Sequence, residues 1–311
     1  MHPMDLEQRL MQIPILNWFL KILKTIKLPG FEGLSLYNLF RMYIIGIVKG
    51  ALTSRASSIA FSLFLALFPF ALFVLTIIPT IPIEGFQEDF ILLIKQGLPP
   101  KTSDAVDAVL FDIANNKQLG LMSFGFLLSM FLMTNGINAL FSAFEDTYHT
   151  IKTRNIIRQY AVALSVSLLL VFSLIFIVSF LILISYGFNQ MQLKGWIENA
   201  SLLKNIAQSV ILLITLVIGV AILYYFGTKD GKKIGFFSPG VIMTSLLILA
   251  NFKLFSIYIS KFSQYNELYG SIGTLIVLML FIWLNAIILL LGYELNTSLI
   301  CLKNEDKVLE K

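Results

Sequence analysis

The chain has 311 residues, of which 57% are apolar and 13% charged, with a formal net charge of +5. Soluble domains run at about 45–50% apolar and about 25% charged, so the charge content here is halved, and the mean hydropathy is +0.83. Too few polar groups exist to cover a soluble surface, which excludes a disordered chain, a collagen-like chain and an ordinary cytosolic enzyme and defines an integral membrane protein.

A helical span needs about 20 apolar residues. Unbroken runs such as LSVSLLLVFSLIFIVSFLILI suit helices, not the alternating strands of a membrane barrel. The expected fold is all-α, a polytopic six-span helical bundle. Residues 1–56 read as a cytoplasmic or interfacial segment. Within it, residues 1–34 suit either an amphipathic helix on an anionic membrane face, with Lys21, Lys24 and Lys27 as its cations, or a frayed tail. Arg41 and Lys49 make residues 35–53 a poor span and a better interfacial helix. The first strongly apolar run begins near Ser58, too far in for a cleaved leader.

Six spans are expected at about 57–80, 120–143, 160–188, 206–227, 238–260 and 270–298, together a transmembrane domain over 57–299. The third is long enough to tilt or to project. Residues 300–311 read as a cytoplasmic tail. Between spans one and two, residues 81–119 hold six acids, Glu84, Glu88, Asp89, Asp104, Asp107 and Asp112. Pro99 and Pro100 divide this segment into two short outer helices, the second capped by Thr102 or Ser103. They either lid a cavity or merely connect two spans.

Lys and Arg counted in alternate loops orient the chain. Arg9, Lys21, Lys24, Lys27, Arg41, Lys49 and Arg55 precede span one. Lys152, Arg154 and Arg158, then Lys229, Lys232 and Lys233, then Lys303, Lys307 and Lys311 fall on the same side. The opposite side has Lys95, Lys101, Lys117, Lys194, Lys204 and Lys261. Both termini are therefore expected in the cytoplasm. The positive charges read as topology markers, so no nucleic-acid partner is expected.

Ionisable residues inside a bilayer cost about 2.5–3.5 kcal/mol each on insertion scales. Two lie within the spans, Lys253 and Glu294. Lys253 falls about 22 Å up span five and Glu294 about 6 Å from the inner end of span six, at about 1.5 Å per residue, so no direct contact is expected. Lys253 either snorkels to the outer face or meets an anionic substrate group. Glu294 suits a tie at the cytoplasmic end, with Arg55 or a basic residue of loop 228–237 as partner. Asn135, Asn138, Asn251 and Asn285 lie at mid-span or near it. By default they bond across helices, and in the sharper reading they line a polar cavity. Lys253, Glu294, Arg55 and these four Asn residues are the substrate-path candidates.

Pro69 and Pro239 break or start helices, and Gly270 with Gly273 permits close approach. Tyr258, Tyr265 and Tyr269 suit an aromatic belt. Cys301 as the one cysteine, with His2 and His149 as the two histidines, leaves no metal cluster to expect. The Glu145–Asp146 pair reads as a helix-end feature. Neither a catalytic motif nor a cofactor signature is present.

Three blocks resemble the YihY/BrkB family of bacterial inner-membrane proteins. The first is SRASSIAFSLFLALFP, residues 54–69, and the second GINALFSAFEDTYHTIKTRN, residues 136–155. The third spans residues 236–299 and carries Pro239-Gly240, Phe255-x-x-Tyr258, Leu268-Tyr269-Gly270, Trp283 and Leu291-Gly292-x-Glu294-Leu295-Asn296. The chain departs from the family at Asp146-Thr147-Tyr148-His149, where an Asn and a Trp are usual, and at Met133-Thr134-Asn135, where an aromatic is replaced. The resemblance implies six spans, both termini inside, and site positions at Pro69, Glu145, Pro239, Gly240, Tyr258, Tyr269, Gly270, Trp283, Gly292 and Asn296. Members were once labelled ribonuclease BN, a label regarded as a misassignment. Other associations, with serum resistance and with export of lipid A precursors, point to the envelope. The expectation is a non-enzymatic transporter or permease for an amphipathic, anionic envelope molecule such as a lipid or lipid-linked precursor, with membrane lipids as partners. The alternatives are a membrane scaffold or regulator and, last, a ribonuclease. The sequence leaves a homo-oligomer open.

The orientation has a direct check at the single thiol. An impermeant maleimide is expected to leave Cys301 unlabelled in intact cells and to label it after permeabilisation.

Overall fold

The computed structural model describes residues 51–77, 119–146, 154–195, 200–233, 235–261 and 265–309, with Thr25, Ile26, Ser35 and Tyr37 in the amino-terminal stretch. Most of the amino-terminal amphipathic segment and the outer acidic segment expected over 81–119 lie outside the described residues, except for the start of the second helix.

Where a chain meets lipid, each backbone N–H and C=O must find its partner inside the chain, which favours continuous helices. Among the described residues there are six long helices: α1 Leu52–Ile77, α2 Leu119–Glu145, α3 Ile156–Leu193, α4 Ala200–Gly227, α5 Pro239–Lys261 and α6 Tyr265–Leu309. A short 3-10 helix, Lys229–Lys233, joins α4 to the α5 side. Among the described residues five stretches are long and apolar enough to cross a membrane: Phe124–Glu145, Ile156–Leu193, Ser201–Gly227, Pro239–Tyr258 and Leu275–Ile300. In α1 the corresponding described stretch is the shorter Leu52–Leu67. The helix runs on through Pro69.

Several helices exceed their expected bounds. α1 starts at Leu52, inside the segment read as interfacial, and α3 has 38 residues, about 57 Å at about 1.5 Å per residue. α6 has 45 residues and continues from its apolar run through the stretch read as a tail. LKNEDKVL contains neither Gly nor Pro, and Leu, Lys and Glu are good helix formers. Hydropathy marks where a span leaves the lipid, not where its helix ends.

The chain forms two compact units. One holds Met1–Phe61, Ala139–Ile156 and Val220–Lys311; the other holds Ser62–Asn138 and Ile157–Gly219. In the first, α5 packs against α6. Gly240 meets Asn296, and Phe255 meets Phe281 with ring centroids 4.8 Å apart. Rising numbers on α5 oppose falling numbers on α6, so the pair is antiparallel.

In the second unit, Met130 and Val171 form a buried core with Phe70, Phe126, Met133, Leu168 and Ile175 around them. The hydroxyls of Ser165, Ser167, Ser179 and Ser185 each donate to the carbonyl four residues back, at 2.8–3.0 Å. That pattern satisfies a hydroxyl inside a span without a second helix. Ser185 also accepts from Gln208 Nε2 at 2.9 Å, which ties α3 to α4. Phe172 and Phe176 on α3 and Leu212 and Leu213 on α4 are exposed, as lipid-facing side chains should be.

Adjacent residues on α2 separate packing from lipid exposure. Met130 is 6% exposed and Phe131 62%. Met130→Ala opens a cavity and is expected to cost about 2 kcal/mol, the low end of core truncations, because lipid supplies little transfer term. Phe131→Ala is expected to cost under about 0.5 kcal/mol. Reversible unfolding in mixed micelles measures both.

Candidate functional site

The first unit carries a dense polar and aromatic cluster where α2 and α4 end and α5 begins. Tyr224 on α4 is its centre. Its hydroxyl donates to Leu289 O at 2.8 Å and lies 2.6 Å from Thr244 Oγ1 on α5. A phenol has one proton. With that proton on Leu289 O, Thr244 must donate to Tyr224. Residue 292 has to be glycine here: a Cβ would meet Tyr224 Oη at 2.5 Å and Thr244 Oγ1 closer still. Gly240 faces the same demand, because a Cβ there would run into Gly292 O and the Asn296 amide.

Around Tyr224 the rings interlock. Phe144 at the end of α2 stacks on Tyr293 at 4.2 Å and meets Tyr224 edge-on at 5.6 Å. Tyr293 Oη pairs with Thr228 Oγ1 at 2.5 Å. Gly227 leaves room for the Phe144 ring, which a Cβ would meet at 2.5 Å.

Arg154 closes the end of α4. Its guanidinium donates to Phe226 O at 2.6 Å, Gly227 O at 3.5 Å and Thr228 O at 2.5 Å. The last carbonyls of a helix lack intrahelical donors, and a cation there also suits the helix dipole. The Arg154 backbone N–H donates to both oxygens of Glu145, at 3.1 and 3.3 Å. Glu145 is thus a helix-end acceptor. Among the described residues no group of three or more His, Cys, Asp or Glu side chains comes together to hold a metal.

At the start of α5, Ser238 caps and Pro239 takes the first helical position, where its missing N–H costs nothing. Gly240 N–H, unsatisfied within its own helix, donates to Asn296 Oδ1 at 2.8 Å. Trp283 Nε1 donates to Ser57 Oγ at 3.1 Å, which ties α6 to α1. Of the positions implied by the family resemblance, Glu145, Pro239, Gly240, Trp283, Gly292 and Asn296 all fall in this unit with structural work to do. Pro69 is half-buried in α1, Tyr258 is half-buried on α5, and Tyr269 and Gly270 lie in α6.

The path candidates are placed differently. Lys253 is exposed. The α5–α6 register sets it near Phe281, about 20 Å along α6 from Glu294 at about 1.5 Å per residue. Asn285 bonds Phe281 O of its own helix at 2.8 Å, and its Oδ1 is buried without a partner. Asn138 Oδ1 and Asn251 Nδ2 are likewise buried and unpaired. Asn135 is half-buried. The Asn that does bridge two helices is Asn296. Glu294 is buried. Arg55 itself donates from Nη1 to Ala143 O at 3.0 Å.

Sequence reasoning missed Tyr224, Tyr293, Thr228, Thr244 and Phe144, and counted Arg154 only as a topology marker. A signal existed: GT directly after an apolar run, with an arginine opening the preceding span, suits a capped helix end.

Long apolar helices with polar side chains tied at their ends define an integral, multi-span helical membrane protein. The chain belongs to the virulence factor BrkB family, whose profile matches residues 46–308. It is similar to a ribonuclease-like protein, YfkH, of Bacillus subtilis, with 29% identity over 251 residues, covering 79% of this chain and 89% of that one. It is also similar to the UPF0761 membrane protein IL2447 of Idiomarina loihiensis, 23% identical over 70% of this chain and 74% of that one. A shorter match, 36% identical over 61 residues and 20% of each chain, is to the UPF0761 membrane protein PSHAa0171 of Pseudoalteromonas translucida. No solved structure matches the chain.

Gly292→Ala tests the cluster. Overpacking of this kind costs about 1–3 kcal/mol, and the value here is expected at the upper end. Thr244→Ala added to it is expected to restore part of the loss. Melting of the purified protein in detergent reads both.

Proposed function

We propose that the protein is a transporter or permease of the bacterial inner membrane, with both termini cytoplasmic, for an amphipathic envelope molecule such as a lipid or lipid-linked precursor. One observation carries this reading: Glu294, on a span of α6, is 6% exposed. A carboxylate in that position is expensive and tends to be kept where a substrate or ion passes. The unpaired buried atoms of Asn138, Asn251 and Asn285 add polar character inside the spans. The orientation rests on the distribution of Lys and Arg, with Lys229 and Lys232 exposed just past the end of α4. An anionic amphiphile is favoured because Arg55, a cation in the first turn of α1, has a buried nitrogen, Nε, without a partner. The UPF0761 relative is named only as a membrane protein, and the ribonuclease-like name of the Bacillus relative assigns no site here.

Movement of fluorescent phospholipids across proteoliposomes tests the reading. Wild-type protein is expected to exceed empty vesicles. Glu294→Gln is expected to fall by about tenfold, which is about 1.4 kcal/mol in the barrier, while eluting and melting as wild type. Wild-type rates equal to empty vesicles with both anionic and zwitterionic lipids refute transport and leave a scaffold.

A further inference from the structure

The segment that joins α4 to α5 is fixed against the end of α4. Arg154 donates to Thr228 O at 2.5 Å, and Gly231 N–H donates to the same carbonyl at 3.2 Å. Residue 231 lies so close to α4 that a Cβ there would meet Tyr225 O at 2.5 Å and Tyr224 O at 2.6 Å. The 3-10 helix Lys229–Lys233 is therefore a fixed platform. Side chains three apart on such a helix eclipse, so Lys229 and Lys232 leave it on one side, about 6 Å apart along its axis at about 2.0 Å per residue. Both lysines are exposed. Glu145, an acid within electrostatic reach of Lys229, already takes the Arg154 N–H on both of its oxygens.

Apolar surface begins where these cations end. Phe236 and Phe237 meet edge-on with centroids 5.5 Å apart, and Phe237 is 69% exposed. Phe237 directly precedes Ser238, the cap of α5. Beyond the cap, Ile242, Leu246 and Leu249 recur at intervals of four and three, which places them on one face of α5. All three are exposed, while Val241, Thr244 and Ile248 on the other face are buried.

Cations, an aromatic ring and an apolar stripe in that order match the parts of one molecule. Cations beside a membrane attract anionic headgroups, aromatic rings settle at headgroup level, and the stripe offers length for an acyl chain. A platform that is already ordered lowers the cost of binding. We infer that Lys229 and Lys232 hold the phosphate of an anionic phospholipid whose chain lies along Phe237, Ile242, Leu246 and Leu249, so that one lipid is retained at the junction of α4 and α5. The bilayer is the source of that phosphate, because a free phosphate would make no use of the stripe. The inference does not rest on the transporter reading: the retained lipid occupies the exposed face of α5 whether or not anything crosses the membrane.

Native mass spectrometry of the full-length protein in detergent, titrated with dioleoyl phosphatidylglycerol or dioleoyl phosphatidylcholine, tests it. Wild type is expected to bind a first phosphatidylglycerol about tenfold more tightly than a first phosphatidylcholine, the scale set by two lysines near a membrane surface. The double variant Lys229→Gln, Lys232→Gln is expected to erase that preference. The double variant Lys303→Gln, Lys307→Gln removes the same charge from the carboxy-terminal end of α6 and is expected to keep it. Glycerophosphoglycerol, the headgroup without chains, is expected to form no detectable complex. Phosphatidylglycerol is also expected to raise the melting temperature of wild type and not that of Lys229→Gln, Lys232→Gln.

Equal binding of the two lipids by wild type overturns the inference. So does an equal loss in both double variants, which reduces the effect to net charge. Headgroup binding as tight as that of the whole lipid overturns it too, because the stripe then plays no part. A melting rise that survives in Lys229→Gln, Lys232→Gln moves the lipid elsewhere. Retention of one phosphatidylglycerol without lipid movement in proteoliposomes ends the transporter reading and leaves this one; lipid movement without the preference does the reverse.

Discussion

Tyr224 enters the seam between α5 and α6, and it can do so only because residue 292 has no side chain. In lipid a phenol hydroxyl has no water to fall back on, so its bonds must come from the protein. Leu289 O accepts a hydrogen bond from it and Thr244 donates one to it. That exchange sets Thr244 level with Gly292, and the same register carries Gly240 to Asn296 and Phe255 to Phe281. The packing of Phe144 and Tyr293 around the phenol follows from where Tyr224 is held.

The same requirement explains the helix ends. Each helix leaves carbonyls or N–H groups without intrahelical partners, and at a membrane boundary these need designated partners. Arg154 serves the end of α4, Ser238 and Asn296 the start of α5, and Glu145 the N–H of Arg154 itself. Most of the Lys and Arg residues read as orientation markers need only fall in a loop on one side. Arg154 is different, since its guanidinium is used for geometry as well as sign.

Against that background Glu294 stands apart. Its neighbours on α6 are tied into the cluster: Gly292 by fit, Tyr293 by stacking and by Thr228, Asn296 by Gly240. The Glu294 carboxylate forms no such bond among the described residues, although it is buried. A side chain that contributes only a buried charge adds little to stability. The family positions thus divide into those tied into the cluster and Glu294, whose carboxylate is not. Arg55 has one nitrogen on Ala143 O and another buried and unpaired.

Composition alone determined the class, because 13% charged residues cannot coat a soluble fold of this size. Apolar runs located the helices, since lipid requires length and hydropathy and both are local properties. The positions of Lys253 and Glu294 were legible for the same reason, as rare charges in long apolar text. Their roles were not. Helix ends escaped the sequence reading because LKNEDKVL is polar yet helical. Tyr224, Thr244 and Arg154 escaped it because a buried tyrosine, a threonine and a capping arginine look ordinary until three helices meet. The register that brings Tyr224 between Thr244 and Gly292, and Trp283 to Ser57, joins residues 20 to more than 200 positions apart. Only packing decides such pairs, because hydrophobic periodicity says which face of a helix is buried and not which neighbour it meets.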